Sequence, residues 1–472
     1  MTTPGVSKRV LTLVVAAALF MENLVSTVIA TSLAEMAADL GVDPLTLKLA
    51  FTAYFVALAI FIPISGWCAD RFGAKTVFAA AIGVFTLSSV GCALAWSLPS
   101  LVAGRFCQGL GGAMMLPVGR LILLRVIPKR EMVSAMAWLS IPTLFAPIIG
   151  PPVGGFITTY YHWRGIFWLN VPVGLLGLAL ALWLVPQVRA DAPRPLDWPG
   201  FALTGSGLAL AIFGFTLLGG RGTRGGAALA MMAAGAVLLV IYVGHARRAA
   251  HPIIDLTLLR LASFRIALVG GLTFRVAVGA MPFLLPLMLQ IGFGMSAFQS
   301  GSLTFMSAVG AVAMKLTAGP ILRRWGFRSV LLANTLICGV MIIVLAALTA
   351  LTPTLVLMTL LGVGGFFRSL QFTSLNSLTY AEVQPADMSR ATSLVGVVQQ
   401  LSLAAGVALA AMLLEGSRSL DGRSALLALD FSRAFVAVGL VSLLPLLWFV
   451  RLAPDAGAEM SGHRGHADDQ PT

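Results

Sequence analysis

The candidate ionisable side chains within the long apolar runs of this chain are Glu22, Arg105, Arg120, Arg275, Lys315 and Arg368. A charge at the centre of a hydrocarbon layer costs roughly 3 kcal/mol or more, so such a residue faces a partner, a cavity or the interface. Glu22 is the one acid expected deep in a helix. Burial favours the neutral form of a carboxylic acid, which makes Glu22 the candidate for taking up and releasing a proton. Arg120, Lys315 and Arg368 stand within a turn or two of expected helix ends, where a long side chain can reach the interface; Arg275 stands deeper. Gln108, Gln290, Asn376, Gln399 and Gln400 either add polar contacts to a cavity or serve interhelical packing.

Other chemistries lack their residues. The five histidines never pair within a helix, and Cys68, Cys92, Cys107 and Cys338 stand singly without metal or redox spacing. No Walker loop occurs, so neither a metal site nor ATP-driven pumping is expected, and no cofactor is implied. His463 and His466 lie in a polar tail and read as solvated.

The elements that must hold these residues are membrane helices. The chain has 472 residues, 58% hydrophobic and 10% charged, with a mean hydropathy of +0.94, whereas soluble domains carry about 25% charged residues. Fourteen apolar runs near 10–33, 47–67, 76–96, 99–123, 132–157, 164–187, 199–219, 227–246, 263–291, 299–321, 328–350, 353–378, 389–415 and 431–453 are each long enough to cross a bilayer. They are continuously apolar rather than alternating, which excludes a barrel. The first has no cleavage pattern and reads as a retained helix. The expected organisation is a six-helix bundle over 1–187, a linker with two extra helices over 188–262, a second six-helix bundle over 263–453, and a disordered cytoplasmic tail over 454–472.

The net charge of +13 is spread over loops, with the basic residues concentrated in alternate ones. The positive-inside rule then places both termini in the cytoplasm. Because the charge reports topology, a nucleic-acid partner is excluded; the expected partners are a small-molecule substrate, protons and the lipid bilayer, with the protein acting as a monomer.

Gly66, Asp70, Arg71, Gly73 and Lys75 follow the second run, and Gly319, Arg323, Arg324, Gly326 and Arg328 follow the tenth in the same spacing. Duplicated halves related by an axis along the membrane normal are a transporter architecture. The repeated loop reads as a cytoplasmic gate: Gly66 for close helix approach, Asp70 as a hydrogen-bond acceptor, Arg71 and Lys75 for pairing with acids. Gly150, Pro151, Gly154 and Gly155 make a side-chain-free face on a helix that also loses backbone donors at Pro147, Pro151 and Pro152.

These motifs, in this order, resemble the major facilitator superfamily. Gly66–Lys75 is similar to its loop 2–3 signature, Arg105-Phe-Cys-Gln108-Gly109 to its helix-4 signature, and Gly150–Gly155 to its helix-5 antiporter signature. His251-Pro252-Ile-Ile-Asp255-Leu and Phe372-Thr373-Ser-Leu-Asn376 resemble segments of the fourteen-spanner drug:proton antiporters of the EmrB/QacA type, HsrA-like branch. The resemblance covers about Phe20 to Leu414. It implies an all-α polytopic major facilitator fold of two six-helix bundles plus two extra central helices. It also implies an inner-membrane location, proton-coupled multidrug efflux rather than enzymatic activity, and a coupling role for Arg105 beside Glu22.

One departure bears on that coupling. The first helix of these antiporters carries an acid where Val25 stands here, and a proline where Ala34 stands. Glu22, one turn before Val25, is the residue that could carry the acid's role. Phe283, Met288, Phe305 and Met306 are candidate cavity-lining side chains. Two other readings remain open from sequence: a carrier of anionic metabolites, suited by five intramembrane bases against one acid, and a sensor of the same fold that has lost transport.

Overall fold

Apolar sequence in a medium without water must satisfy its backbone internally, and a helix does so within one segment. The computed structural model describes residues 8–189, 195–218, 225–384 and 387–461, and among them there is no strand. His463, His466, Arg464, Arg194, Arg221 and Arg224 lie outside the described residues.

The long helices are α1 (Lys8–Val28), α2 (Lys48–Phe61, continuing through residues 62–64 into Ser65–Phe72), α3 (Ala74–Ala93), α4 (Leu98–Val126), α5 (Lys129–Tyr160), α6 (Asn170–Leu184), α7 (Trp198–Leu217) and α8 (Gly225–Ala246). They are followed by α9 (Ala262–Leu287), α10 (297–325), α11 (327–344), α12 (Thr354–Tyr380), α13 (Met388–Leu420) and α14 (Ala428–Leu443). The break between α10 and α11 is Gly326, at φ 69°. Among the described residues twelve stretches are long and apolar enough to cross a membrane; one of them, Ala297–Ala347, contains both α10 and α11. α5 is a further 32-residue helix outside those twelve.

Local signals set the boundaries. Ser97 and Ser100 cap the start of α4 reciprocally, with a proline in the first turn. The Asp197 carboxylate accepts from the Gly200 N–H at 2.9 Å to start α7, and it also meets His245 Nε2 at 2.7 Å, which ties the two ends of the α7–α8 hairpin together.

The chain divides into two compact units: residues 1–253 with 296–301, and residues 254–295 with 302–472. The first unit is built on α3–α4, α1–α5 and α2–α4 packing, with the α7–α8 hairpin attached through α7. Thr52 and Thr216 hydroxyls meet at 3.3 Å, and Trp67 and Trp198 rings pack edge to face. The second unit is built on α9 against α13, with α12 and α14 on the same helix.

Asp255, just before α9, anchors the start of the second unit. Burial pushes its carboxyl up, but hydrogen bonds from Thr257 and Arg390 outweigh that and hold it below the ordinary aspartate range. This stabilisation is present above the unfolded aspartate value and is lost as pH falls through the lower folded one. Part of the expected tail is ordered: Ala458–Ser461 forms a helical turn, and Gly457 sits against the Phe327 ring.

The turn between α2 and α3 depends on Gly73, at φ 92°, where an added Cβ would lie 2.5 Å from the Gln187 side chain. Gln187 accepts from the Lys75 N–H at 3.1 Å and donates to Thr76 at 2.8 Å. Gly73→Ala is therefore expected to destabilise the first unit by about 1–3 kcal/mol, read as a lower unfolding midpoint in detergent. A midpoint equal to that of the wild type would refute this account of the turn.

Candidate functional site

Arg105 is fully buried in α4. Its guanidinium lies over the Tyr54 ring of α2, 4.1 Å from the centroid, and Nη1 donates to Gln108 Oε1 at 2.5 Å. Gln108 in turn donates to Ser89 Oγ of α3 at 2.7 Å. No carboxylate pairs with Arg105 among the described residues, and its Nε has no partner. The cation is held by an aromatic face and a neutral amide. Glycine makes this possible: a Cβ on Gly109 would lie 2.5 Å from the Tyr54 carbonyl oxygen, so only a residue without a side chain lets α4 seat the ring.

Glu22 lies within electrostatic reach of the Tyr54 hydroxyl. A Cβ on Gly112 would find the Tyr54 hydroxyl at 3.4 Å and Glu22 Cγ at 3.6 Å, so both groups border one small gap. Glu22 Oε2 is buried without a hydrogen-bond partner, and Arg120 is the cation within electrostatic reach. Val25, where the resemblance expects an acid, is packed into the apolar core of the first unit. The structure thus brings Glu22 and Arg105 together through Tyr54, a residue the sequence reading missed; its only signal was a lone phenol in an apolar helix.

Glu22 lies well inside α1, but it is not the one buried acid among the described residues. Glu415 and Asp430 are also buried, at the ends of α13 and α14, but Glu415 pairs with Arg418 and Asp430 with Arg423.

The glycines of α5 serve two surfaces. A Cβ on Gly150 would clash with Thr27 Oγ1, and one on Gly154 would lie 2.6 Å from the Val28 carbonyl, so this face lies directly on α1. A Cβ on Gly155 would clash with the Ala297 carbonyl, and one on Gly301 with the Pro151 carbonyl. At the end of α5, Asp39 accepts from Trp163 Nε1 at 3.0 Å and Arg164 Nη1 at 2.5 Å, and Arg164 also donates to the Ala95 carbonyl. This clasp was not anticipated from sequence.

At the gate loop, Asp70 pairs with Arg125 of α4 at 2.6 Å. Arg71 and Lys75 side chains have no acid partner among the described residues. The expected close-approach role of Gly66 is not seen: a Cβ there, or on Gly319, would meet nothing within 4 Å. In the second copy Arg323 and Arg324 are exposed, and Arg328 donates to the Val450 carbonyl at 3.2 Å.

In the second unit Arg275 is fully buried and donates to Asn376 Oδ1 at 3.0 Å, leaving Nε and Nη1 without partners. Arg368 sits in the middle of α12 rather than near its end, and donates to Ser307 at 3.0 Å. Lys315 donates to Thr373 at 2.8 Å. Gln290 lies in a π-helical turn, Met288–Gly292, after α9. Phe283 and Met288 are buried core side chains, while Phe305 and Met306 are half-buried.

The repeat extends beyond the loop. The interval that takes Gly73 to Gly326 also takes Glu22 to Arg275 and Tyr54 to Ser307. Gly109 packs on the Tyr54 carbonyl, and Gly365 packs in the same way on the Ser307 carbonyl. Matching these two glycines lengthens the interval by three residues, and Gly112 then corresponds to Arg368. Two equivalent positions therefore hold an acid and a gap in the first unit, and two arginines in the second.

Long apolar helices carrying uncompensated charges at repeat-related positions define a multi-pass membrane carrier. The chain belongs to the Major Facilitator Superfamily, whose pattern matches residues 15–407 and 266–468. It is 34% identical over 449 residues to the "Probable transport protein HsrA" of Haemophilus influenzae, covering 95% of this chain and 96% of that protein. It is likewise 34% identical over 444 residues to the "Putative multidrug resistance protein MdtD" of Escherichia coli, covering 94% of each. Its fold is similar to the crystal structure of a D-xylose-proton symporter, with a TM-score of 0.67 at 15% identity over 95% of this chain and 98% of that one. The protein is a major facilitator transporter for a small-molecule substrate.

Removing the ring beneath Arg105 tests the core of the site. Tyr54→Leu is expected to cost about 2 kcal/mol, because a desolvated cation loses its aromatic face; Tyr54→Phe keeps the face and most of the stability. Equal unfolding midpoints for the two variants would show that the stack does not hold Arg105.

Proposed function

We propose that the protein exports small amphipathic or lipophilic compounds across the inner membrane in exchange for protons, by alternating access. The observation that carries this reading is the Glu22–Tyr54–Arg105 arrangement. A carboxylate without a partner is costly away from water, so Glu22 is best accommodated there with a proton on Oε2. When the proton leaves, the new negative charge adjoins the Tyr54 hydroxyl, and the same ring supports Arg105. Protonation of one atom thus changes the forces on α1, α2 and α4 together. The glycine faces of α5 let α1 and residues 297–301 lie against its backbone, where no side chain obstructs sliding.

The relatives' printed names, a transport protein and a multidrug resistance protein, support transport and a link to drug resistance. We further propose fourteen crossings, reached by counting α10 and α11 separately and adding α5. Both termini would then be cytoplasmic, as the loop charges suggest, and the protein would work as a monomer. The Gly66–Lys75 loop, with Asp70 on Arg125, and its copy at Gly319–Arg324 serve as the cytoplasmic gate.

The test is a toxic-compound panel in a pump-depleted host, with transport of each hit then followed in proteoliposomes under an imposed pH gradient. Wild type is expected to protect the host and to respond to the gradient. Glu22→Gln is expected to lower gradient-driven efflux by about tenfold or more, and Glu22→Asp to retain part of it. A full gradient response in Glu22→Gln would remove the proton role from this residue, and wild-type efflux indifferent to the gradient would overturn antiport.

A further inference from the structure

Three cations lie around one stretch of α12 in the second unit, and each is bonded only to a neutral group. Arg368 of α12 donates to Ser307, Lys315 of α10 to Thr373 of α12, and Arg275 of α9 to Asn376 of α12. Residues 368–376 span about 12 Å of helix at 1.5 Å per residue. All three lie within apolar stretches long enough to cross the bilayer. Among the described residues none of the three pairs with an acid.

Such a cluster is expensive in a membrane unless something negative accompanies it. The buried acids Glu415 and Asp430 of this unit obey that rule, since each has an arginine partner. Arg275 departs from it most clearly, being fully buried with two of its three nitrogens unbonded. Lys315 is exposed, which leaves an approach to the cluster from one side.

Snorkelling does not explain the arrangement. Arg368 is in the middle of its helix, and its guanidinium donates to Ser307 of the neighbouring α10. The close packing of α10 on α12 holds the site in shape: a Cβ on Gly310 would clash with the Gly362 carbonyl, and one on Gly365 with the Ser307 carbonyl. Ser307 with Gly365, Ala311 with Ser369, and Lys315 with Thr373 repeat at one constant interval along parallel helices.

We infer that this cluster is the seat for an anionic group of the cargo, a carboxylate, sulfonate or phosphate on an organic molecule. The inference rests on the transport reading above and narrows its substrate class. Guanidinium nitrogens left free beside a hydroxyl and an amide are a donor set for an oxyanion.

The test uses two xanthene dyes of like size and opposite charge, carboxyfluorescein and rhodamine 123, with the full-length protein in detergent and in proteoliposomes. Carboxyfluorescein is expected to raise the unfolding midpoint of wild type and to bind at least about tenfold more tightly than rhodamine 123. Arg275→Gln and Arg368→Gln are expected to lose that preference by about tenfold or more, while Arg275→Lys and Lys315→Gln keep part of it. Should Arg275→Gln fold poorly, Arg368→Gln and Lys315→Gln still carry the test. Equal or tighter binding of rhodamine 123, no stabilisation by carboxyfluorescein, or an unchanged preference in the glutamine variants would overturn the inference. Gradient-driven transport of rhodamine 123 without anion preference would leave proton-coupled export standing and sink this site. Anion binding without any gradient response would do the reverse.

Discussion

In a bilayer there is no water to spread a charge, so each buried ionisable group must be matched by something the protein builds for it. Most of the architecture follows from how this chain meets that demand. Arg105 is matched by the face of Tyr54 and the amide of Gln108, and Asp430 by Arg423 and Ser417. Glu22 and Arg275 are matched least, each keeping buried polar atoms without partners. On the readings proposed above, a proton completes Glu22 and an anionic cargo completes Arg275.

The glycines are the means by which these side chains reach their places. Gly109, Gly150, Gly154, Gly155 and Gly365 each sit where a single carbon would strike a neighbouring backbone or hydroxyl atom. Removing the side chain brings helix axes close enough for a ring on α2 to cover a cation on α4. Without an appreciable hydrophobic drive between helices in lipid, this contact and a few hydrogen bonds supply much of the cohesion. The glycines are therefore positioning residues for charges they do not touch.

Helix type and approximate span were legible in the sequence because twenty apolar residues in a row admit few alternatives. The loop repeat was legible because Gly73 and Gly326 must both adopt positive φ, and that demand leaves a visible pattern. The partners of the charges were not legible. Asp70 on Arg125, Arg105 on Tyr54 and Arg368 on Ser307 join residues dozens of positions apart, and a tyrosine or serine in an apolar run carries no local mark of what it will face. Gly66 shows the opposite error: a glycine in a motif invites a packing role, yet its surroundings are open. Spacing reveals backbone demands, whereas tertiary pairing requires the helices to be seen side by side.

The equivalence of Glu22 and Arg275 carries a message about ancestry. A six-helix half that assembled as two identical copies would bear the same side chain at this position twice, two acids or two bases, and could never hold one of each. Fusion of two such copies into one chain would let each be selected separately, and opposite signs would then arise only after the duplication. The single polypeptide is, on this view, what made a division of labour between its halves available to evolution at all.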